Sequence, residues 1–233
     1  MSGRAARRAA YENPRPEVQA LVPREARRIL DLGCSSGAVG AALKARQDAE
    51  VVGVELDPDY ARDARERLDR VVEAELEALA ERDDLEAELG RFDCLLAGDV
   101  LEHLRDPWTV LRRTAALLEP GGVAVVSLPN VRHWETFWAL ARHGTWPRRP
   151  EGIFDESHLR WFTLGDAYGL FTQAGLTVEA VDRQYRLVPA SPERGAGVAR
   201  ALARTPLRPF VVFQNVIRGR RRLRRPTSAP QRR

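Results

Sequence analysis

The sequence predicts an α/β fold: a doubly wound, seven-stranded, mostly parallel sheet with a lid insertion. Short apolar runs rich in β-branched residues alternate with helical patterns, as parallel strands joined by helices do. The first run passes directly into a glycine-rich turn and then a helix. The 233 residues can bury one domain of this kind and still leave an extension.

The first strand, turn and helix form the stretch ILDLGCSSGAVG, residues 29–40. We predict a strand at 28–32 and a helix at 38–46. The glycines follow G-x-x-x-G-x-x-G, not the G-x-G-x-x-G of dinucleotide folds. Gly33 and Gly37 allow a close ligand approach that a Cβ would block. The pattern predicts a nucleotide-cofactor site and argues against a nicotinamide-dependent oxidoreductase.

The second run, VVGVE, ends on Glu55, where a carboxylate can accept both hydroxyls of a ribose. Asp57 and Pro58 predict the start of the next helix. A short third strand leads to Glu75, and we expect the charged stretch 76–90 to be a solvated surface helix. The other strands are predicted at 92–97, 123–128, 176–181 and 210–217, and the other helices at 107–118 and 163–174.

Residues 129–162 interrupt the alternation and hold four of the five tryptophans. Apolar residues recur there at the spacing of an amphipathic helix: Trp134, Phe137, Trp138 and Ala141. We interpret this insertion as a lid over a substrate pocket, with Trp134 and Trp138 as its aromatic face. A surface that rests on a membrane is the alternative.

Charge divides the chain into an acidic body and a basic end. Residues 191–233 hold 12 arginines and one acidic residue, although the whole chain is only +4. We expect a disordered N-terminus at 1–10, a domain at 11–218 and a basic, disordered tail at 219–233. The tail can bind an anionic membrane or nucleic acid, or it can simply solubilise the chain.

Cysteine usage and hydropathy indicate the compartment. Cys34 and Cys94 are both expected in buried positions, so no disulfide framework is predicted. No apolar run approaches the roughly 20 residues of a membrane span, and the basic N-terminus is not followed by an apolar segment. We therefore expect a cytoplasmic protein, with peripheral contact to the inner face of the membrane as an option.

Four motifs carry a resemblance to a known family: ILDLGCSSG, VVGVELDP, LLAGDVLEHLRDP and ESHLRWFT. Together they resemble the class I S-adenosylmethionine (SAM)-dependent methyltransferases, which have a Rossmann-like sheet. The last two resemble a narrower bacterial group, related to the ubiquinone-biosynthesis O-methyltransferases and to glycosyltransferase-associated methyltransferases. The resemblance covers roughly residues 11–218.

The resemblance implies SAM as cofactor and a role for each matching residue. The methionine end of SAM would meet Asp31, Gly33, Cys34, Ser35 and Gly37. Glu55 would hold the ribose, Leu56 would lie beside the adenine, and Glu75 would accept a hydrogen bond from the adenine amino group. Gly98 and Asp99 would close the pocket near the sulfonium. An ordinary tight turn for the glycines and a solvated charge for Glu75 are the alternatives.

Two histidines are the candidate catalytic residues. His103 follows the fourth predicted strand, and His158 lies in the covering segment. The spacing of Asp99, Glu102 and His103 resembles the metal centre of small-RNA 2′-O-methyltransferases, with His158 as the later histidine and Asp99 in place of the first Glu. A divalent metal is one interpretation. The other is that Glu102 and His103 pin the loop and contact substrate without a metal.

The expected function is transfer of a methyl group from SAM to an oxygen of a small molecule, a glycan precursor or a quinol-like lipid. Such an enzyme needs to align the acceptor oxygen with the methyl carbon and to remove the acceptor's proton. An RNA or protein methyltransferase is the alternative among enzymes. The alternative outside enzymes is a non-catalytic SAM-binding scaffold. Nucleic acid is the less expected partner, because the tail lacks interleaved aromatic residues.

Overall fold

The structure is a computed structural model that describes residues 12–188 and 194–222. The N-terminal stretch 1–10 and the tail beyond residue 222 lie outside the described residues.

Seven strands form one sheet: β1 (Arg28–Leu32), β2 (Glu50–Glu55), β3 (Arg70–Glu73), β4 (Phe92–Gly98), β5 (Leu118–Pro129), β6 (Leu176–Tyr185) and β7 (Val212–Arg221). The described helices are α1 (Pro16–Gln19), α2 (Ala38–Arg46), α3 (Pro58–Arg65), α4 (Leu76–Ala80), α5 (Leu85–Leu89), α6 (Pro107–Ala115), α7 (Trp134–Trp138), α8 (Leu164–Gln173), α9 (Ala196–Leu202) and α10 (Arg208–Val211). A 3-10 turn spans Leu101–His103, and a π-helical turn at Ala139–His143 continues α7.

The strand order is β3-β2-β1-β4-β5-β7-β6. Strands β1 to β5 pair in parallel, and β7 runs antiparallel to both of its neighbours. Two apolar clusters cover the faces of the sheet, as expected when helices pack on both sides. The predicted doubly wound, mostly parallel sheet is confirmed, with one antiparallel hairpin at its edge. The strand order reverses between β1 and β4, and such folds bind their ligands at this switch point.

The centre of the sheet is packed tightly below the glycine turn. Asp31 on β1 pairs with Gly53 on β2 and with Leu96 on β4. A Cβ at Gly53 would lie 2.5 Å from the Cys34 sulfur, so only glycine fits there. Cys34 and Cys94 are both buried and free, as the sequence predicts.

The prediction of one solvated helix at 76–90 is wrong. The stretch forms two short helices, α4 and α5, whose leucines pack into the core: Leu76, Leu79, Leu85 and Leu89. The many charged residues concealed this apolar face. The helix expected at 107–118 ends at Ala115, and the Glu-Pro-Gly-Gly stretch expected to follow it lies within β5.

The last strand extends beyond its predicted end. It was expected at 210–217, but β7 runs from Val212 to Arg221, so three residues assigned to the tail belong to the sheet. Arg218 and Arg220 both form ion pairs with Glu179 on β6. Arg221 donates to a main-chain carbonyl at the C-terminal end of α6. These three arginines therefore form contacts within the folded domain.

We expect a chain that ends at Ile217 to be less stable than one that ends at Arg222. The shorter chain loses the pairing of residues 218–221 with β6 and of residues 218–220 with β5, whereas the longer one keeps all of it. Several backbone hydrogen bonds at about 1 kcal/mol each make the loss about 2 kcal/mol or more. The thermal midpoint should fall by about 4–8 °C. Equal midpoints would place the end of the domain before β7 ends.

Candidate active site

A cavity of about 620 Å³ lies at the carboxyl edge of the sheet, beside β1 and β4. Its walls come from the glycine turn, the turn after β4, the segment 149–158 and the adjoining ends of β6 and β7. Nine residues chosen from the sequence line it: Asp31, Gly33, Cys34, Ser35, Gly98, Asp99, Glu102, His103 and His158. The cavity is large enough for a small-molecule ligand.

The glycine turn places three left-handed residues within five positions. Gly33 has a φ of 62°, Ser35 of 50° and Gly37 of 80°. A Cβ on Gly33 would lie 2.7 Å from a methyl of Val100. For Ser35, which does have a Cβ, the left-handed conformation costs about 1–3 kcal/mol. The buried Ser35 hydroxyl has no hydrogen-bond partner among the described residues, so it is a polar atom available to a ligand.

Asp31 is a buried carboxylate that forms no ion pair with any of the described residues. Its residue is 5% exposed, and burial raises its pKa from 3.8 to about 7, with a further rise from the charge of Glu55. A ligand ammonium group would stabilise the ionised form and reverse this shift. The chemistry of this position therefore fits the methionine end of SAM.

Glu55 ties the end of β2 to the glycine turn. One of its carboxylate oxygens accepts the backbone N–H of Ser35 at 2.8 Å, and the other accepts the N–H groups of Leu56 and Asp57. A carboxylate has about four acceptor positions, so room for about one further donor remains. The structure thus supports one ribose contact at Glu55 more readily than the two that the sequence suggested.

Four predicted cofactor residues lie outside the cavity lining: Gly37, Glu55, Leu56 and Glu75. Gly37 precedes α2, and the other three follow or end β2 and β3 at the same sheet edge. Leu56 is 65% exposed and Glu75 is also exposed. An adenosine group bound here would lie on an open surface next to the cavity.

Arg15 is a cavity residue that the sequence analysis missed. Its guanidinium donates to the Asp99 carboxylate at 2.6 Å and to the Ser127 hydroxyl at 3.1 Å. Gln214 and Ser127 also donate to Asp99. Burial alone would raise the pKa of Asp99, but the Arg15 charge and these hydrogen bonds hold it below its usual value. Only the unusual Asn-Pro-Arg-Pro sequence marks Arg15, and it gives no sign of the cavity.

The structure brings His103 and His158 together, with ring centroids 4.7 Å apart. The Ser157 hydroxyl donates to Asp155, so the 3.1 Å contact between Ser157 and His103 Nδ1 requires the histidine to donate. This assignment leaves Nε2 of His103 with a free lone pair. Asp155 and Ser157 thus orient His103 as a proton acceptor.

Glu102 lies behind the two histidines, and both of its carboxylate oxygens are buried without a hydrogen-bond partner among the described residues. Burial raises its pKa well above the usual value, and the charge of Asp99 adds to the rise. His158 Nδ1 lies 3.3 Å from the Ile153 carbonyl, and its Nε2 lies 4.0 Å from Glu102. Burial lowers the pKa of His158, which keeps the ring neutral.

Glu102, His103 and His158 can bring one ligand atom each to within 4.8 Å of one another. Two imidazole nitrogens and a carboxylate without partners fit a divalent cation. The predicted metal set also included Asp99, and the structure does not place Asp99 in this cluster. Its carboxylate is turned toward Arg15, Ser127 and Gln214, which satisfy it.

The tryptophans of the insertion do not cover the cavity. Trp134 donates its indole N–H to the Leu187 carbonyl at 3.0 Å, and Trp138 is 55% exposed on the outer side of α7. Neither lines the cavity, although Glu135 between them does. The insertion reaches the cavity mainly through residues 149–158, and the two tryptophans expected as a lid lie outside the cavity lining.

The sheet order and the glycine turn at the β1–β4 switch point define an α/β cofactor-binding enzyme fold. Solved structures share this fold. A SAM-dependent methyltransferase from Thermotoga maritima has a TM-score of 0.61 at 21% identity, covering 92% of this chain and 90% of its own. One from Mesorhizobium loti has a TM-score of 0.61 at 22% identity, covering 88% and 96%.

The family model described as "Methyltransferase domain" matches residues 5–181. The chain therefore belongs to the class I SAM-dependent methyltransferases. It is 33% identical over 176 residues to a ubiquinone biosynthesis O-methyltransferase of Cereibacter sphaeroides, a match that covers 72% of this chain and 66% of that relative. It is also 39% identical over 119 residues to a trans-aconitate 2-methyltransferase of Methylobacterium radiotolerans, covering 50% and 44%.

Within residues 12–188 and 194–222, no helix combines the length and the apolar character needed to cross a membrane.

We expect SAM to bind more tightly as pH rises through about 7, because only ionised Asp31 attracts the ammonium group. Since the pKa of Asp31 is raised to about 7, the carboxyl is mostly protonated at pH 6 and mostly ionised at pH 7.5. Affinity measured by calorimetry should rise about tenfold over that interval. The Asp31→Asn variant should bind SAM more weakly than the parent protein, and its affinity should not change with pH. The control is Asp48→Asn, at a fully solvated carboxylate outside the cavity, which should follow the parent curve.

Proposed function

We propose that this methyltransferase transfers the SAM methyl group to an oxygen of a small-molecule acceptor held in the cavity. The observation that carries the proposal is the pairing of His103 and His158 at the same cavity as the cofactor turn. The similarity to a ubiquinone biosynthesis O-methyltransferase supports an oxygen acceptor, and the similarity to a trans-aconitate 2-methyltransferase supports a small-molecule acceptor. A glycan precursor or a quinol-like lipid is the finer proposal for the acceptor.

The chain contributes alignment and proton removal. The left-handed turn at Gly33, Ser35 and Gly37 and the carboxylate of Asp31 fix the methionine end of the cofactor, which supplies the reactive methyl group. His103 Nε2, oriented through Ser157 and Asp155, accepts the proton of the acceptor hydroxyl. His158 packs against the His103 ring and helps to exclude water. Holding the two reactants in line accounts for much of the rate enhancement.

A divalent metal is compatible with this site. Glu102, His103 and His158 would hold it, and when bound it would polarise the acceptor oxygen. The unpartnered oxygens of Glu102 support this option, since a buried carboxylate without partners is otherwise costly. A protonated Glu102 is the option without a metal, in keeping with its raised pKa.

We expect His103→Ala and His158→Ala each to reduce methyl transfer by about 10²-fold, the usual scale of acid–base help. Ser157→Ala should have a smaller effect of about tenfold, because it removes only the orientation of His103. Transfer is measured with labelled SAM and an extract of small molecules, glycans and lipids as acceptors. His143→Ala, at an exposed histidine outside the cavity, is the matched control.

SAM affinity should remain within about twofold in all four variants. A chelator that abolishes transfer, with recovery on addition of Mg²⁺, Mn²⁺ or Zn²⁺, would establish the metal option. Chelator-insensitive transfer with a rate that rises as the pH rises would establish the base option. If both histidine variants retain full activity, the two-histidine site is wrong. SAM binding without any labelled product from any extract, including RNA and protein, would favour the scaffold alternative.

The described surface also supports peripheral contact with an anionic membrane, the interpretation left open for the insertion. The outer side of α7 and its π-helical continuation exposes Phe137, Trp138 and Leu140, each by about half. Phe137 stacks edge-on against Phe210, and the Arg132 guanidinium lies 5.6 Å from the same Phe210 ring. Aromatic residues flanked by arginine suit the interface of an anionic bilayer.

We expect the protein to sediment with phosphatidylglycerol vesicles and not with phosphatidylcholine vesicles. Trp138→Ser with Phe137→Ser should reduce binding by about tenfold or more, because two half-buried aromatic contacts with the bilayer are lost. Trp161→Ser, at an exposed tryptophan elsewhere, is the control. A chain ending at Arg222 separates the two proposed surfaces. If it loses all vesicle binding while the double variant loses none, the tail is the membrane contact.

A further inference from the structure

Arg186 lines the cavity on the side away from the glycine turn. It follows β6 directly, and β6 runs in the same direction as β5, because both are antiparallel to β7. The carboxyl end of β6 therefore lies at the same sheet edge as the cofactor turn. Neighbouring strands are about 4.8 Å apart, which places β6 about 14 Å from β4 in the strand order.

The backbone around Arg186 is fixed by three hydrogen bonds. Its N–H donates to the Val211 carbonyl at 3.0 Å, and its carbonyl accepts from His133 Nε2 at 2.9 Å. The next carbonyl, that of Leu187, accepts from the Trp134 indole at 3.0 Å. The start of α7 thus clamps the chain at the point where Arg186 faces the cavity, so this side chain is presented from a rigid support.

The Arg186 guanidinium differs from the other guanidinium groups of the cavity. Arg15 is paired with Asp99 and Glu17, and Arg149 is paired with Glu135. Within the described residues, the Arg186 side chain has neither an ion pair nor a hydrogen bond. It lies 4.5 Å from the centre of the Phe213 ring, a contact that covers one face of the guanidinium and leaves its N–H edge free. Burial lowers its pKa, and the charges of Glu17, Asp99 and Glu151, none of them within ion-pair distance, only partly offset that effect.

We infer that Arg186 binds an anionic group of the methyl acceptor, a carboxylate or a phosphate, while the acceptor's hydroxyl lies at His103. This inference rests on the proposed O-methyl transfer and adds the substrate class: a small acid with a largely apolar body. A guanidinium recognises an oxyanion through two parallel N–H bonds, and a stacked, unpaired guanidinium is preorganised for that contact. Phe213 and Ile153 supply apolar wall for the body of the acceptor.

The carboxylate of SAM itself is the other anion that could reach this cavity. Arg15 is better placed for it, since its guanidinium contacts Asp99 and Ser127 at the ends of β4 and β5, beside the glycine turn. Arg186 lies on the strand farthest from β1 on that side of the sheet. The two cationic side chains therefore divide the cavity into a cofactor end and an acceptor end.

The test uses the complex with S-adenosylhomocysteine and ligand-observed NMR. The probes are 4-hydroxycinnamate and its neutral, equally shaped amide, with phenyl phosphate to separate phosphate from carboxylate. We expect at least one charged probe to bind about tenfold or more tightly than the amide. Arg186→Gln should abolish the preference, and Arg186→Lys should retain part of it. Arg148→Gln, at an exposed arginine outside the cavity lining, keeps the same net charge as Arg186→Gln and should change nothing.

Calorimetry with SAM distinguishes failure of this inference from failure of the proposed function. Arg186→Gln should leave SAM affinity within about twofold, whereas Arg15→Gln should reduce it. If Arg186→Gln weakens SAM as much as Arg15→Gln does, or if no charged probe is preferred by the parent protein, the inference is wrong. Failure of the parent protein to bind SAM would instead remove the proposed function. The thermal midpoint of Arg186→Gln should equal or exceed that of the parent, and a lower midpoint would assign Arg186 a structural role.

Discussion

The site depends on the attachment of Glu55 to the glycine turn. Ser35 adopts a left-handed conformation that is unfavourable for a residue with a Cβ, and the bond from its N–H to Glu55 helps to hold it there. Because Glu55 ends β2, the turn is fixed relative to two adjacent strands at once. Gly53 completes the arrangement by leaving space for the Cys34 side chain beneath the turn. Asp31 and the Ser35 hydroxyl, which has no partner among the described residues, are thereby fixed in the cavity wall. Binding a ligand there requires little further ordering of the protein.

The groups that the fold leaves unsatisfied describe the ligands that complete it. Among the residues that the structure describes, Asp31 has no ion pair with a cation, Glu102 has two oxygens without a hydrogen-bond partner, and the Arg186 side chain has no ion pair. Each of these groups is destabilising in the free protein, because burial without a partner costs about 1–3 kcal/mol or more for a polar group. Their neighbours Asp99 and Arg15 satisfy each other. The contrast indicates that the unpaired groups are binding positions.

The strands and the cofactor turn could be predicted because their signals are local. β1 and α2 lie where the apolar run and the helical pattern placed them, and the helix predicted at 163–174 is found as α8. The wrongly predicted segments are those whose structure depends on burial. In α4 and α5 the many charged residues obscure the buried leucines in the sequence pattern. In β7 the arginines have the composition of a disordered tail, but in the structure two of them pair with Glu179. The roles of Arg15 and Arg186 could not be predicted for a related reason. A cavity formed from segments far apart in the sequence produces no regular spacing of its lining residues.

The division of the cavity explains why membership in the family does not reveal the acceptor. The family match ends at residue 181, so it includes the glycine turn, Glu55 and both catalytic candidates. Four residues of the proposed acceptor end lie beyond that point: Gln184 and Arg186 at the end of β6, and Phe213 and Gln214 on β7. The β6–β7 hairpin returns these residues to the sheet edge through antiparallel pairing, with Gln214 beside Pro129 at the end of β5. Substitutions on the hairpin can therefore change which acceptor is bound without disturbing the cofactor turn. The acceptor must be inferred from the residues of this hairpin, and the unpaired guanidinium of Arg186 is the most informative of them.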